Sequence, residues 1–202
     1  MRNTRFISVA RAGPETTVII RAVILLLLIL TLYSASKASY ISAKASVAQY
    51  LLSTAWTASL AQDQSVKPWP WADTWPVARL SVPTLNTTLI VLEGASGEAL
   101  AFGPGRIPGS ADSLHGIFAI GGHRDTHLAL LEHTVNGTEF ELQLADGQVQ
   151  RYRQTRAEIV DIQTEEFSIN NEGAGLVLVT CYPFRPDQTG GPLRYVVTAA
   201  PI

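Results

Sequence analysis

Residues 139–153 decide the fold, and they read EFELQLADGQVQRYR. Polar and apolar side chains alternate over the first six residues, so the three apolar ones share one face, as in a half-buried β-strand. The dipeptide Asp146-Gly147 then favours a tight hairpin turn. The residues after the turn predict a return strand from 149 to about 160. The stretch therefore predicts a β-hairpin.

Further short apolar runs on both sides of this hairpin are typical of buried strands. They lie at 89–92, 116–120, 176–179 and 195–197, and residues 77–82, VARLSV, alternate like the first strand of the hairpin. Helix is predicted only in short pieces of this region, such as 128–133. Strands at this close spacing, with Gly and Pro between them, predict a mainly β domain that is either a small barrel or a sandwich.

The composition limits the functions that the chain can have. Its 202 residues are 47% apolar and 16% charged, which is enough for one packed domain and an additional segment. Before residue 45 there are six basic residues and one acidic residue, whereas from residue 76 onward there are eight basic and fourteen acidic residues. An acidic domain argues against a nucleic-acid partner, because that binding depends on neutralising phosphates. The one cysteine, Cys181, excludes an intrachain disulfide framework and a Cys-rich zinc site.

An apolar run near the N-terminus, residues 22–33, reads AVILLLLILTLY. It is short for a membrane span, which needs about 20 residues. The span is long enough if it starts near residue 16, where Arg21 can extend its charged end to the membrane surface. We expect a signal-anchor helix over 16–36 behind a cytoplasmic segment 1–15. The alternative is a cleaved signal peptide that ends at the small residues 34–36. The basic residues before the span predict that the N-terminus is cytoplasmic and that the domain lies outside the membrane.

The segment after the span is predicted to continue as a helix. It contains neither Gly nor Pro up to Lys67, so we expect a juxtamembrane helix over 37–67. Its predicted helical stripe consists of Val47, Tyr50, Leu51 and Thr54.

A linker rich in Pro and Trp is predicted over 68–76, before a domain over 77–202. Prolines force extended backbone there, and three of the four tryptophans lie in it. The linker either clasps the domain through its Trp rings or forms a lid over a site, with Asp73 and Trp75 as the lid residues.

Three residues at the ends of predicted buried strands are candidates for catalysis. Cys181 ends the run that starts at residue 176, His123 follows the run 116–120 and two glycines, and Arg194 opens the last strand. A lone cysteine is either a small core residue or a reactive thiol. A thiol nucleophile needs a base and a group that stabilises the oxyanion. Strand ends of this kind can converge at one mouth of a barrel, so the three residues form a candidate cysteine-enzyme site.

The other histidines and a second arginine are weaker candidates. His115 is predicted in a turn, and His127 and His133 on the surface. Arg185 lies four residues after Cys181 in a predicted loop, where it would be held less rigidly than Arg194 at a strand start.

The sequence resembles the sortase family in several ordered motifs. Thr180-Cys181 resembles the end of the family's Thr-Leu-x-Thr-Cys motif, although Val177 stands at the position of its first threonine. Gly122-His123 resembles the Gly-His motif, and Arg194 matches the arginine at the start of the closing strand. The segment 100–111 resembles the one that follows the family's second strand. Residues 121–126, GGHRDT, and 180–184, TCYPF, most resemble the sortase class found in Gram-negative bacteria.

The resemblance implies an eight-stranded sortase-type β-barrel and a membrane-anchored cysteine transpeptidase. Cys181 would be the nucleophile, His123 the acid and base, and Arg194 the group that holds substrate and oxyanion. Thr180 and Tyr182 would contact the substrate, a secreted protein with a C-terminal sorting signal of the Leu-Pro-x-Thr-Gly kind. The second partner would be an amine acceptor of the cell surface or wall. The domain would lie on the periplasmic side of the inner (cytoplasmic) membrane, and no cofactor is implied.

Two loops would form the walls of the substrate groove. The first is 161–175 and the second is 182–192. The acidic residues of the first wall match no compact metal loop, so no metal site is predicted. These residues are Asp161, Glu165, Glu166 and Glu172.

Two other functions compete with this interpretation. An L,D-transpeptidase would carry its cysteine in a Ser-x-Gly-Cys-Arg context, which residues 180–183, TCYP, lack. A membrane-tethered β-domain that only binds a partner would keep Cys181 buried.

Overall fold

The computed structural model describes residues 14–164, 173–185 and 190–202. Alternating and apolar runs form strands where the sequence predicts them. The strands are β1 Pro76–Val82, β2 Thr87–Leu92, β3 Gly105–Arg106, β4 Ile117–Gly122, β5 Glu139–Leu144, β6 Val149–Asp161, β7 Gly175–Cys181 and β8 Leu193–Pro201. The helices are α1 Pro14–Gln62, α2 Gly97–Leu100 and two 3₁₀ turns, Pro83–Leu85 and Ala129–His133.

The strands close into a barrel in the order β1-β2-β3-β4-β7-β8-β6-β5. The pairs β2–β3 and β4–β7 are parallel, and the other pairs of this barrel are antiparallel. The pairing of Ala78 in β1 with Leu144 in β5 closes the circle. The predicted eight-stranded barrel is confirmed, and the sandwich alternative is excluded.

The hairpin β5–β6 forms at the predicted turn. Gly147 has a φ of +84°, a left-handed conformation that glycine adopts without steric cost. The amide of Gln148 donates to Oδ1 of Asp146 at 2.9 Å. The bounds of β5 are those that the alternation predicts.

Two apolar clusters cover the two sides of the barrel wall. The first lies inside the barrel and gathers buried side chains from strands all around it, including Phe118, Phe140 and Leu178. The second consists of Ala119, Val160, Val177 and Val196, together with partly buried neighbours, on the outer side of β4, β6, β7 and β8. The central parts of β4 and β7 are therefore buried on both faces, which explains why these two strands read as unbroken apolar runs.

The N-terminal unit extends to Ser46 and contains the first part of α1. Its large apolar side chains between Val18 and Leu32 are exposed. Among the described residues, α1 is the one helix long and apolar enough to cross a membrane. The helix is compatible with a single-pass anchor.

The second unit, Val47–Ile202, includes the end of α1 as well as the barrel. The buried side chains of this helical part are Ala48, Leu52, Ala55, Trp56 and Ser59. The predicted stripe is therefore wrong by about one position, since Val47 and Tyr50 are exposed. Small Ala and Ser residues form much of the true stripe, and their weak hydropathy hides it from the sequence pattern.

The helix ends at Gln62, five residues before the predicted end at Lys67. Asp63 has a φ of +49°, which is incompatible with a continuing right-handed helix. The hydroxyl of Ser59 then accepts a hydrogen bond from the amide of Val66 at 3.1 Å, which fixes the chain after the break.

The linker rich in Pro and Trp packs on the barrel wall as a clasp. The Thr74 hydroxyl donates to the carbonyl oxygen of Glu93 at 2.7 Å, and the amide of Glu93 donates to the carbonyl oxygen of Trp75 at 2.9 Å. The Trp69 ring meets Phe102 edge-on at 5.1 Å. Trp71 takes no part in the clasp, since it is 79% exposed, contrary to the prediction for all three rings.

The position of Trp75 argues against a lid. Trp75 lines a cavity of about 420 Å³ together with Val77 and Phe118. Phe118 pairs with Leu176, and Cys181 lies five residues further along β7, about 16 Å away at the rise of a strand. The tryptophan therefore covers a part of the barrel remote from the thiol.

We expect the double substitution Asp73→Ala and Trp75→Ala to destabilise the domain without exposing the thiol. Loss of a partly buried indole costs about 1–2 kcal/mol, which lowers the Tm by roughly 2–8 °C in a protein of this size. Differential scanning fluorimetry and the rate of iodoacetamide labelling of Cys181 measure the two effects. Trp71→Ala is the control and leaves the Tm unchanged. Faster labelling at an unchanged Tm would instead support a lid.

Candidate active site

Cys181 and Arg194 are direct neighbours on two antiparallel strands. Cys181 ends β7, Arg194 is the second residue of β8, and the two pair in register. Residues opposite each other in such a pair point to the same face, with Cβ atoms about 4.5–5.5 Å apart. The thiol and the guanidinium can therefore contact the same bound group.

The alternation along β7 decides which face carries the thiol. Leu176 and Leu178 point into the barrel, and Val177 belongs to the outer cluster. Cys181 lies four residues after Val177, and residues an even number apart on a strand point to the same face. The thiol therefore lies on the outer wall, where the residue is partly exposed. The strand ends thus meet on the outer wall and not inside a barrel mouth. The sequence could not show this because both faces of β7 are apolar.

His123 leaves β4 beside Cys181. The last pair of the parallel strands is Gly122 with Thr180, so His123 lies one residue beyond it, as Cys181 does on β7. Adjacent strands are about 4.8 Å apart. The imidazole is exposed. His123, Cys181 and Arg194 therefore follow one another across three neighbouring strands, β4, β7 and β8.

The backbone at Gly122 and His123 is held by hydrogen bonds and by close packing. The Thr180 hydroxyl donates to the carbonyl oxygen of Gly122 at 2.8 Å. A Cβ atom at Gly122 would lie 2.7 Å from Cγ of Leu128 and 3.4 Å from Cβ of Pro104. The amide of Leu128 donates to the carbonyl oxygen of His123 at 3.0 Å. Only glycine fits here, and the close contacts fix where His123 leaves the strand.

Thr180 and Tyr182, the two predicted substrate contacts, have different environments. Thr180 is 2% exposed, and its hydroxyl is used in the bond to Gly122. Tyr182 is partly exposed and stacks on Tyr195 at 6.2 Å, with Phe184 edge-on to both rings. Phe184 and Tyr195 also pack against the inner cluster. Tyr182 is thus a rigid aromatic surface directly after the thiol, and substrate contact by either residue stays a prediction.

The two arginines near the thiol differ in how they are held. Nη1 of Arg194 donates to the carbonyl oxygens of Gly191 and Leu193 at 2.8 and 2.9 Å. A guanidinium has five N–H donors, so these two bonds do not exhaust it. The Arg185 side chain is 86% exposed and lies 3.8 Å from a carboxylate oxygen of Glu132. Arg194 is therefore the arginine that the strand framework holds beside Cys181.

His127 is closer to the site than the sequence predicts. It is half-buried, and desolvation lowers its pKa below the ordinary value of 6.5. The nearby charge of His123 lowers the pKa of His127 further, and Asp125 raises it. Desolvation is the largest of these effects, so the site favours the neutral form of His127. His115 and His133 are exposed.

Parts of both predicted groove walls, residues 165–172 and 186–189, lie outside the described residues. Glu165, Glu166 and Glu172 belong to that part, as does most of the loop after Arg185. Asp161 is described, and its Oδ1 accepts a hydrogen bond from the amide of Gln163 at 2.9 Å.

A family model described as the sortase domain matches residues 80–202. The chain belongs to the sortase family. Sortase D of Bacillus subtilis (strain 168) is 31% identical over 121 residues, which make up 58% of this chain and 60% of that protein. The chain thus spans less than two thirds of that relative. The family assignment excludes the L,D-transpeptidase alternative.

Solved sortase structures share the barrel. The Clostridium perfringens sortase D5 transpeptidase has a TM-score of 0.60 at 17% identity, over 78% of this chain and 99% of that one. Sortase A from Corynebacterium diphtheriae has a TM-score of 0.57 at 21% identity, over 65% and 63% of the two chains. Sortase C-1 from Actinomyces oris has a TM-score of 0.54 at 23% identity, over 63% and 74%. At these identities the similarity is one of fold.

Proposed function

We propose that this chain is a membrane-anchored cysteine transpeptidase. It cleaves a C-terminal sorting signal of the Leu-Pro-x-Thr-Gly kind between Thr and Gly, and it transfers the shortened protein to an amine. The observation that carries the proposal is the cross-strand pair of Cys181 and Arg194, with His123 on the neighbouring strand of a sortase domain.

The first half of the reaction forms a thioester. The Cys181 thiolate attacks the carbonyl carbon of the signal's threonine, and the carbonyl electrons move to the oxygen. Arg194 stabilises this oxyanion because its guanidinium stays charged and donates hydrogen bonds. When the C–N bond breaks, the glycine nitrogen takes a proton from the His123 imidazolium. The tail leaves with a free amine, and the acyl group stays on Cys181.

The second half transfers the acyl group. His123, now neutral, accepts a proton from the incoming amine as its nitrogen attacks the thioester carbon. The C–S bond breaks, an amide forms, and the thiolate and the imidazolium are restored. Water in place of the amine would give slow hydrolysis.

The partners and the location follow from the same proposal. The substrate is a secreted protein with a C-terminal sorting signal, and the acceptor is an amine of the cell surface or wall. Among the solved relatives, the structure of Streptococcus pneumoniae sortase C bears on the pilin substrate specificity of that protein. The exposed apolar helix and the basic residues before it support a single-pass anchor with a cytoplasmic N-terminus. The motifs at 121–126 and 180–184 support the class found in Gram-negative bacteria and a periplasmic domain.

The binding-domain alternative differs in the state of Cys181. Partial exposure of this residue favours the interpretation as an enzyme over that as a binding domain. We expect iodoacetamide to label native full-length protein within minutes, at a rate similar to that of the urea-unfolded chain. Incubation with a Leu-Pro-x-Thr-Gly peptide and triglycine should give the new amide, detected by mass spectrometry. Native labelling about 10² times slower than that of the unfolded chain, without peptide cleavage, would favour a buried structural cysteine.

Gly122→Ala and Gly121→Ala form a matched pair for the position of His123. A Cβ atom at Gly121 meets its nearest neighbour, Cγ1 of Ile107, at an ordinary 3.5 Å, whereas one at Gly122 would overlap the fully buried Leu128. We expect Gly122→Ala to lower kcat/KM for the peptide by about 10²-fold, as small misplacements of catalytic groups do. Gly121→Ala should stay within about threefold of wild type. Equal losses in both variants would contradict this account.

A further inference from the structure

The loop at residues 102–104, here named the Phe102 loop, is held by two segments that precede the barrel. Gln49 on α1 donates from Nε2 to the carbonyl oxygen of Phe102 at 2.7 Å. On the other side, the Trp69 ring meets the Phe102 ring edge-on at 5.1 Å. Leu52 of α1 packs beneath, in an apolar cluster that Phe102 joins. The loop is therefore fixed from the helix and from the linker together.

The Phe102 loop packs closely against β2. A Cβ atom at Gly103 would lie 2.9 Å from the carbonyl oxygen of Ile90 and 3.3 Å from the Leu92 side chain. The amide of Leu92 donates to the carbonyl oxygen of Pro104 at 2.9 Å. The loop backbone thus has little room on the side of the strand.

The far end of the loop reaches the backbone that carries His123. A Cβ atom at Gly122 would lie 3.4 Å from Cβ of Pro104 and 2.7 Å from Cγ of Leu128, so both side chains lie next to the Cβ side of Gly122. A continuous chain of contacts therefore runs from Gln49 and Trp69, through Phe102 and Pro104, to the residue before His123.

The barrel is closed without the two segments that hold this loop. All eight strands pair with one another, and neither α1 nor the part of the linker before β1 contributes a strand. The contacts to the Phe102 loop are therefore not required to complete the sheet.

We propose that Gln49 and Trp69 are positioning residues for His123, acting through the Phe102 loop. The juxtamembrane helix and the linker then have a second role besides anchoring: they set the distance between the imidazole and Cys181. The inference rests on the proposed function, since it assumes that His123 exchanges a proton with the substrate amine.

The test uses two double variants of the full-length protein. The first combines Gln49→Ala and Trp69→Ala, and the control combines Ser53→Ala and Trp71→Ala. Ser53 and Trp71 are exposed residues of the same two segments. We expect kcat for a Leu-Pro-x-Thr-Gly peptide to fall about tenfold in the first variant, with KM within about twofold, because misplacement affects the proton transfer more than binding. The control stays at the wild-type rate. Trp69→Phe, which keeps an aromatic ring on Phe102, should restore kcat to within about twofold of the wild-type value.

NMR spectroscopy distinguishes a change in the position of the His123 imidazole from a change in the stability or the activity of the protein. The imidazole NMR signals of His123, assigned with His123→Gln, should shift in the first variant and not in the control. A lower Tm with unchanged kcat and unchanged imidazole signals would overturn the proposal and leave the contacts a purely structural role. If the double variant does not fold, Gln49→Ala alone, an exposed surface change, decides by the same readouts. If wild type cleaves no peptide, the proposed function fails, and the NMR comparison still tests the positioning.

Discussion

Replacing Cys181 with alanine is expected to abolish both peptide cleavage and amide formation. The proposed reaction passes through a covalent bond to Sγ, and no other thiol exists in the chain. Loss of a nucleophile typically costs about 10⁴-fold or more in kcat, so turnover should fall below detection in a mass-spectrometric assay. The side chain is small and at a strand end, so we expect the Tm to stay within a few degrees of wild type.

Cys181→Ser is the matched control for this loss. It keeps the size and a polar group but replaces the thiol with a hydroxyl, which is a much weaker nucleophile than a thiolate. Both variants should bind the peptide and neither should turn it over. Retention of more than a few per cent of wild-type cleavage in Cys181→Ala would show that the thiol is not the nucleophile.

Arg194→Ala and His123→Ala are each expected to lower kcat/KM by about 10²-fold or more. Removing an oxyanion donor costs about 10²–10³-fold, and removing an acid–base group about 10²–10⁴-fold. Arg194 pairs with Cys181 in register, whereas Arg185 contacts Glu132 from the surface. Arg185→Ala should therefore retain at least about a third of the wild-type activity. Steady-state kinetics with a fluorogenic sorting peptide measures all three variants.

Arg194→Lys refines the comparison of the two arginines. It keeps the charge but loses the planar set of donors, so it should recover only part of the loss. An effect of Arg185→Ala as large as that of Arg194→Ala would show that the wrong arginine has been assigned.

Local pattern was sufficient to predict most of the barrel. Alternation predicted β1 and β5, and the hairpin turn predicted β6. Apolar runs located β2, β4, β7 and β8 within a few residues. Strand β3 was not predicted because its two residues, Gly105 and Arg106, are too few to show a periodic pattern. Its pairing with β2 and β4 depends on contacts between distant parts of the chain.

The arrangement of the candidate site was only partly accessible from the sequence. The order of His123, Cys181 and Arg194 at strand ends could be predicted, but not the face on which they lie, because β7 is apolar on both faces. The contact of Pro104 with Gly122 is equally invisible in the sequence, since it depends on how the Phe102 loop folds back. The role of residues 47–62 as part of the barrel unit was missed because small residues form much of the buried stripe.

The central claim is that Cys181 forms a thioester with the threonine of a sorting signal, and intact-protein mass spectrometry tests it most directly. Full-length protein is incubated with a Leu-Pro-x-Thr-Gly peptide without an added amine and quenched in acid. The account predicts a species heavier than the protein by the acyl fragment up to threonine, which maps to Cys181, is absent in Cys181→Ala and disappears when hydroxylamine is added. Cleavage of the peptide without such an adduct, or an adduct that persists in Cys181→Ala, would contradict it.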